Sequence, residues 1–86
     1  MYRIKIKDNV DKKFQKISRK NPEQLNRIFQ KVDEILVDPH RYKNLKAPMN
    51  KYKRVHIGHF VLTFSVDEKS KKVTLENYDH HDMIYK

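Results

Sequence analysis

The chain has 86 residues, which is the length of one domain with one modest hydrophobic core. It contains no cysteine, so disulfides, zinc–thiolate sites and cysteine nucleophiles are excluded. Its formal charge of +9 favours a polyanionic partner, such as nucleic acid or an acidic protein segment, although a lysine-rich surface alone would give the same charge. No apolar run approaches the roughly 18 residues of a membrane span. The N-terminus lacks the apolar segment of a secretory signal, so we expect a cytoplasmic protein without membrane association.

The N-terminal part predicts a strand followed by an amphipathic helix. Residues 2–7 alternate apolar and basic side chains, which is typical of a half-buried strand. Apolar residues then recur at helical spacing over residues 10–20, and the opposite face, which includes Lys13, is expected to be solvated. Asp8 and Asn9 offer side-chain oxygens that are expected to cap this helix.

A second and longer helix follows the first. Asn21 is expected to cap it, Pro22 suits its first position, and an apolar stripe continues to about Val37. The dipeptide Asp38–Pro39 ends it, because the residue before a proline disfavours helical geometry. Two helices joined by a turn at Asn21 predict an antiparallel hairpin.

The C-terminal half predicts three strands. A loop anchored by Leu45 precedes residues 51–66, which form two strands with a bend at Gly58, the only glycine. Residues 71–78 alternate again after a hairpin turn. The order β-α-α-β-β-β predicts a single α+β domain over residues 1–86. We expect two layers, with the helical hairpin packed on a mainly antiparallel four-stranded sheet.

The sheet face turned away from the helices is expected to be open. Arg54 and His56 are two residues apart on a strand, so their side chains share this face. A guanidinium can bind a phosphate bidentately and an imidazole can transfer a proton near neutral pH, so the pair suits an anionic substrate. The alternative is an ordinary solvated strand. The polar side chains predicted on this face are Tyr52, Arg54, His56, His59, Thr63, Thr74 and Tyr78.

The C-terminal segment carries two adjacent histidines. Adjacent residues of an extended segment point to opposite faces, so His80 and His81 are not expected to share a metal ion. We expect neither a metal nor a small-molecule cofactor. The two imidazoles suit acid–base roles beside the cationic face, and unbroken strand alternation places His80 there. Tyr85 can stack on a base or donate a hydrogen bond. The alternative is an apolar plug, with Ile84, that docks the tail on the sheet.

The order and spacing of these elements resemble the RelE/ParE superfamily of toxins from toxin–antitoxin modules. The likeness spans nearly the whole chain. Asn44–Lys46 and Tyr52–Phe60 are similar to that superfamily's L-K-G … Y-R-V-R-V-G-D-Y-R block, and His80–Tyr85 to its terminal H-R-x-x-x-Y. The resemblance implies a RelE-type endoribonuclease that needs no metal and cleaves mRNA on the ribosome. In such enzymes the 2′-hydroxyl attacks the adjacent phosphate, and an acidic antitoxin is the protein partner.

The resemblance also implies roles for individual residues. Arg54 and His56 match the basic pair of the central strand, His81 matches the terminal basic position, and Tyr85 matches the terminal aromatic. These four are the expected catalytic residues. The match prefers His81, whereas strand alternation favours His80, so both stay as candidates. The residues expected to bind RNA or phosphate are Lys43, Lys46, Lys53, His59 and His80.

Two departures from the superfamily pattern keep other functions open. Val61 stands where the superfamily has a strand arginine, and Ala47–Pro48 replace a glycine. A degenerate RNA-binding member without catalysis is therefore one alternative. A ParE-like inhibitor of DNA gyrase is another, although the basic and aromatic residues kept in this chain argue against it.

Overall fold

The structure is a computed structural model that describes residues 1–84. Its four strands form one sheet in the order β1-β4-β3-β2, in which β1 is parallel to β4 and the other pairs are antiparallel. The predicted α+β order is confirmed, and a short C-terminal helix is added to it. The elements are β1 (Arg3–Ile6), α1 (Asp8–Lys20), α2 (Pro22–Val37), a 3-10 turn (Pro39–Arg41), β2 (Lys53–Ile57), β3 (Phe60–Asp67), β4 (Lys72–His80) and α3 (His81–Ile84).

The helix starts agree with the prediction for α2 but not for α1. The Asn21 side chain accepts a hydrogen bond from the Gln24 N–H at 3.2 Å, and Pro22 is the first residue of α2. In α1 the capping position is Lys7, and it makes no side-chain cap bond. The prediction that Asp8 and its neighbour cap α1 is therefore wrong. Asp8 lies inside the first turn, where its charge still favours the positive end of the helix dipole.

The hydrophobic core lies between the helical hairpin and one face of the sheet. The aromatic ring of Phe14, from α1, meets that of Tyr78, from β4, edge to face with ring centroids 5.8 Å apart. Tyr78 is only 2% exposed, and its hydroxyl accepts a hydrogen bond from Gln24 Nε2 at 2.9 Å. The prediction that Tyr78 lies on the open face is therefore wrong. The buried cluster comprises Val10, Phe14, Ile28, Val32, Ile35, Val55, Leu62, Phe64, Val73, Leu75 and Tyr78.

A β-bulge in β4 explains why Tyr78 faces the helices. Thr63 of β3 pairs with Asn77, but the next residue, Phe64, pairs with Leu75, so Glu76 is an extra residue on β4. A slip of one residue moves every later side chain of the strand to the opposite face. Tyr78 and the residue two positions after it, His80, therefore face the helical side of the sheet.

The turn between β2 and β3 consists of Gly58 and His59, and Gly58 has a φ of +63°. A Cβ built at Gly58 would meet no atom within 4 Å, so the backbone angle alone favours glycine here. We expect Gly58→Ala to lower the free energy of unfolding by about 1–2 kcal/mol in urea denaturation. Gly58→Asn should lose less, because asparagine tolerates this conformation. Equal losses in both variants would contradict the explanation.

Candidate functional site

Two imidazoles meet on the sheet face away from α1 and α2. The ring centroids of His56, on β2, and His81, the first residue of α3, are 5.5 Å apart, with the rings tilted by 33°. The His81 N–H donates a hydrogen bond to the His59 carbonyl oxygen at 2.9 Å. This bond fixes the start of α3 against the β2–β3 turn. The chain reversal after β4 thus places His81 beside His56.

Arg54 extends this imidazole pair along β2. It pairs with Thr63 of β3, as His56 pairs with Val61, so both side chains lie on the same face. The Arg54 N–H donates to the Lys43 carbonyl oxygen at 3.0 Å, which ties the preceding loop alongside β2.

A pocket of about 640 Å³ continues this surface toward the loop. Arg54, Lys46 and Ile84 all contribute to its lining. We call the connected set of Lys46, Arg54, His56 and His81 the cationic strip. It combines a guanidinium, an ammonium and two imidazoles on one surface.

The surroundings of His56 in the cationic strip lower the pKa of its imidazole. His56 is exposed at one edge, but partial burial lowers its pKa below the usual 6.5, and the nearby charges of Arg54 and His81 lower this pKa further. The neutral imidazole is therefore the favoured form of His56 near pH 7. A neutral imidazole can accept a proton, so His56 is suited to act as a general base.

We expect the His56 ring to titrate below pH 6.5 in an NMR titration of the folded protein. Because the unfolded chain binds this proton more tightly, His56 should lower the stability of the fold as pH falls below 6.5. Arg54→Gln removes one positive charge, so it should raise the midpoint of His56. A midpoint at or above 6.5 in the unsubstituted protein would contradict this account of the site.

Two predicted site residues lie on the other side of the sheet. His80 pairs with Phe60 and contacts its ring edge to face at 5.6 Å, because the bulge in β4 turns it toward α2. The His59 ring stacks on that of His80 at 6.3 Å, and His59 lines a pocket together with residues of α2. The prediction that these two histidines face the cationic strip is therefore wrong.

Of the three lysines predicted to bind RNA or phosphate, one lies on the core side of the sheet and two lie on the loop before β2. Lys53 pairs with Phe64 on the core side of β2, and its ammonium donates to the Tyr42 carbonyl oxygen at 3.2 Å and to Asn44 Oδ1 at 2.9 Å. It braces the loop before β2 and does not face the cationic strip, and its role in binding RNA or phosphate stays a prediction. Lys43 and Lys46 are exposed on that loop. Tyr85 lies outside the described residues.

The open face is narrower than predicted. Val61 and Thr63 are 0% and 5% exposed, so the prediction that Thr63 lies on an open surface is wrong. Thr63 lines a groove with Met49, from the loop before β2, and Met83, from α3. Val61 lies in register between His56 and Asp79, so an apolar residue separates these two polar groups. The cationic strip is the part of this face that remains polar and accessible.

The groove residues Met49 and Met83 were missed by the sequence analysis. Met49 lies in a loop without apolar periodicity, so the sequence carries no signal for it. Met83 directly precedes Ile84, which the apolar-plug alternative named, so that alternative could have included it. Within residues 1–84, no three His, Asp or Glu side chains are grouped so that they could hold a metal ion. In the same described range, no helix has the length and apolar character needed to cross a membrane.

Two relatives align with essentially the whole chain. A protein of Methanosarcina mazei described as uncharacterized is 64% identical over 86 residues, which span 99% of this chain and 100% of that protein. A protein of Methanocaldococcus jannaschii named "Putative toxin RelE4" is 49% identical over 87 residues, which span 100% of this chain and 93% of that protein. No family model matches the chain.

Solved structures share the fold at low sequence identity. The RelBE2 toxin–antitoxin complex of Mycobacterium tuberculosis superimposes with a TM-score of 0.79 at 17% identity, covering 93% of this chain and 98% of that one. The YoeB/ParE toxin of Agrobacterium tumefaciens gives 0.81 at 11% identity, with coverage of 92% and 98%. The archaeal RelE–RelB complex of Pyrococcus horikoshii gives 0.69 at 18% identity, with coverage of 92% and 93%.

Proposed function

This chain belongs to the RelE family of toxins from type II toxin–antitoxin modules, and we propose that it is an endoribonuclease that cleaves mRNA on the ribosome. The observation that carries the proposal is the contact between His56 and His81 beside Arg54, at one accessible surface of the sheet. These groups supply what transfer at a phosphate ester needs: two proton-transfer groups and a fixed positive charge. We propose a single toxin domain that spans residues 1–86.

The reaction proposed is attack of the RNA 2′-hydroxyl on the adjacent phosphate. A bond forms between O2′ and phosphorus, the bond between phosphorus and O5′ breaks, and the products are a 2′,3′-cyclic phosphate and a 5′-hydroxyl. His56 accepts the proton of the 2′-hydroxyl, because its lowered pKa favours the neutral ring. His81 donates a proton to the departing O5′. No metal or cofactor takes part in these steps.

Negative charge on the phosphate oxygens increases as the 2′-oxygen attacks. Arg54 can bind two of these oxygens bidentately, and Lys46 adds a second positive charge from the loop that shares its pocket. Positive charges stabilise the transition state most strongly when they are in position before the reaction begins. The backbone that carries Arg54 and Lys46 is held in or against β2 by hydrogen bonds. Tyr85 is the proposed aromatic that stacks on a base or donates a hydrogen bond near the cleaved phosphate.

An acidic antitoxin is the proposed protein partner. The Mycobacterium tuberculosis RelBE2 structure is a toxin–antitoxin complex, and the Pyrococcus horikoshii structure is a complex of RelE with RelB. The formal charge of +9 complements an acidic partner and raises the rate of association with it. The same charge attracts ribosomal and messenger RNA.

The test is to mix the protein with ribosomes carrying a defined mRNA and to map cleavage by primer extension. Cleavage within the codon of the ribosomal A site is the expected result, and free mRNA should be cut far less. Intact mRNA together with blocked supercoiling by DNA gyrase would replace this proposal with a ParE-like function. Adding the antitoxin should suppress the cleavage.

A non-catalytic RNA-binding protein is the second candidate function. The observation that favours it is Val61, which is fully buried at the position where the superfamily has a strand arginine. One expected phosphate-binding guanidinium is therefore missing from the site. Tight binding to programmed ribosomes with no cleavage at any codon would favour this candidate over the nuclease.

A further inference from the structure

A second positively charged pocket lies on the helical side of the sheet, at the end where β2 and β3 meet. Gln24 and Arg27 of α2 form one wall, and the β2–β3 turn with His59 and Phe60 forms the other. The pocket measures about 300 Å³. We call it the rim pocket. Its residues have no part in the cleavage chemistry proposed above.

Arg27 is an exposed residue of α2 that lines the rim pocket. Its positive charge is close enough to lower the pKa of Tyr78, although burial of that tyrosine raises the pKa overall. The Tyr78 hydroxyl already accepts from Gln24 Nε2 at 2.9 Å, so the wall of α2 is anchored at this point. A guanidinium is a strong phosphate-binding group.

The opposite wall combines aromatic and imidazole rings. Phe60 stacks on Tyr78 with centroids 5.1 Å apart and an angle of 8° between the rings, and it remains half-buried. His80 meets Phe60 edge to face, and His59 stacks on His80. The carboxylate of Asp82 lies 3.7 Å from His80 Nδ1 and is largely exposed to solvent. Flat rings beside an arginine are the groups that hold single-stranded nucleic acid.

The rim pocket and the cationic strip lie at the same end of the sheet on opposite faces. His80 and His81 are consecutive residues, so their Cα atoms are about 3.8 Å apart, yet one contacts Phe60 and the other contacts His56. The β2–β3 turn, with an exposed Gly58, separates the two surfaces. A single extended strand of RNA that crosses this turn can contact both.

We propose that the rim pocket binds a nucleotide of the RNA next to the cleaved one, with its phosphate on Arg27 and its base against the aromatic wall. This inference rests on the proposed function, because it takes RNA as the substrate. An acidic peptide would also suit Arg27, but it would leave the stacked aromatic and imidazole rings without a matching group. The combination of charge and flat rings therefore favours a nucleotide.

The test measures binding of a short labelled single-stranded RNA by fluorescence anisotropy across about 20 to 200 mM KCl. The association constant K falls as the salt concentration rises. The magnitude of the slope of log K against log salt, here called the slope, counts the phosphates neutralised, at roughly 0.7 per phosphate for single strands. Arg27→Gln should reduce the slope by about 0.7 and weaken binding several-fold at low salt. Arg27→Lys should keep the slope, because it keeps the charge. Arg19→Gln, on the exposed last turn of α1, is the control for loss of one charge.

A slope that falls equally in Arg27→Gln and Arg19→Gln would overturn the proposal, since general charge would then explain it. RNA that does not bind the unsubstituted protein would also overturn it. An unchanged RNA slope with weaker binding of a glutamate-rich peptide would assign the rim pocket to an acidic protein instead. If ribosome assays detect no cleavage but the slopes differ as expected, the nuclease proposal fails while the rim pocket stands. Circular dichroism verifies that each variant is folded.

Discussion

Replacing His81 with alanine is expected to slow mRNA cleavage on programmed ribosomes by about 10²-fold or more, because the proposed proton donor to the leaving O5′ is removed. His56→Ala should have an effect of similar size, since it removes the proposed base. The two rings are in contact, so they act as a unit. The double variant should therefore be less impaired than the product of the two single effects.

The matched control for these histidines is His40→Ala. His40 is exposed on the 3-10 turn after α2, where it pairs with Glu68, and it belongs to neither the cationic strip nor the rim pocket. We expect it to cleave at nearly the unsubstituted rate. If His81→Ala cleaves as fast as His40→Ala, the assignment of the site is wrong.

Replacing Arg54 with glutamine is expected to lower the cleavage rate by about 10²- to 10³-fold, with a smaller change in ribosome binding. The reason for so large an effect is Val61, which leaves Arg54 as the guanidinium of the cationic strip. Arg54→Lys should recover only part of the rate, because lysine keeps the charge but cannot bind two oxygens in a planar fork. Single-turnover kinetics on stalled ribosomes separate the rate from binding.

The fold of the Arg54 variants should be intact. The loop before β2 is held by the Arg54 backbone N–H, which every substitution except proline keeps. Arg19→Gln is again the control for loss of one positive charge, and it should cleave normally. A loss in ribosome binding that accounts for the entire effect of Arg54→Gln would contradict a role in the chemical step.

The helical hairpin could be predicted from the sequence because its signals are local. The apolar spacing, the asparagine cap of α2 and the proline that follows it all act within a few residues. Lys13 shows the limit of this reasoning. It was expected to be solvated, yet its ammonium donates to the Tyr78 carbonyl oxygen at 2.8 Å and to Asn77 Oδ1 at 3.2 Å. That contact exists because β1 ends at Ile6 and leaves the edge of β4 uncovered beyond Leu75.

The bulge in β4 has a signal in the sequence that the prediction of uniform alternation overlooked. Val73 and Leu75 are two residues apart, but two polar residues, Glu76 and Asn77, follow, and the next apolar side chain, Tyr78, is three residues after Leu75. The extra residue, Glu76, is held by Lys7 Nζ at 2.5 Å and by the Ser65 hydroxyl at 2.6 Å. Those partners come from distant parts of the chain. These long-range contacts stabilise the register that the spacing from Leu75 to Tyr78 indicates.

The bulge also explains why strand alternation and the family resemblance predicted different histidines for the open face. Alternation along an unbroken strand favoured His80 for the open face, whereas the resemblance to RelE toxins favoured His81. The structure places His81 beside His56 and His80 against Phe60. The pattern of one strand was insufficient, because a single extra residue reverses its faces. The resemblance carried information about position that alternation did not.

The most direct test of the proposed reaction changes one atom of the substrate. The mRNA on the ribosome carries a single 2′-deoxy nucleotide on the 5′ side of the cleavage position, and its cutting is compared with that of the all-ribose mRNA. We predict that the all-ribose mRNA yields a 2′,3′-cyclic phosphate and a 5′-hydroxyl, and that the 2′-deoxy mRNA stays intact at that position. Equal cleavage of both mRNAs, or products with a 5′-phosphate, would contradict attack by the 2′-hydroxyl and the roles given to His56, His81 and Arg54.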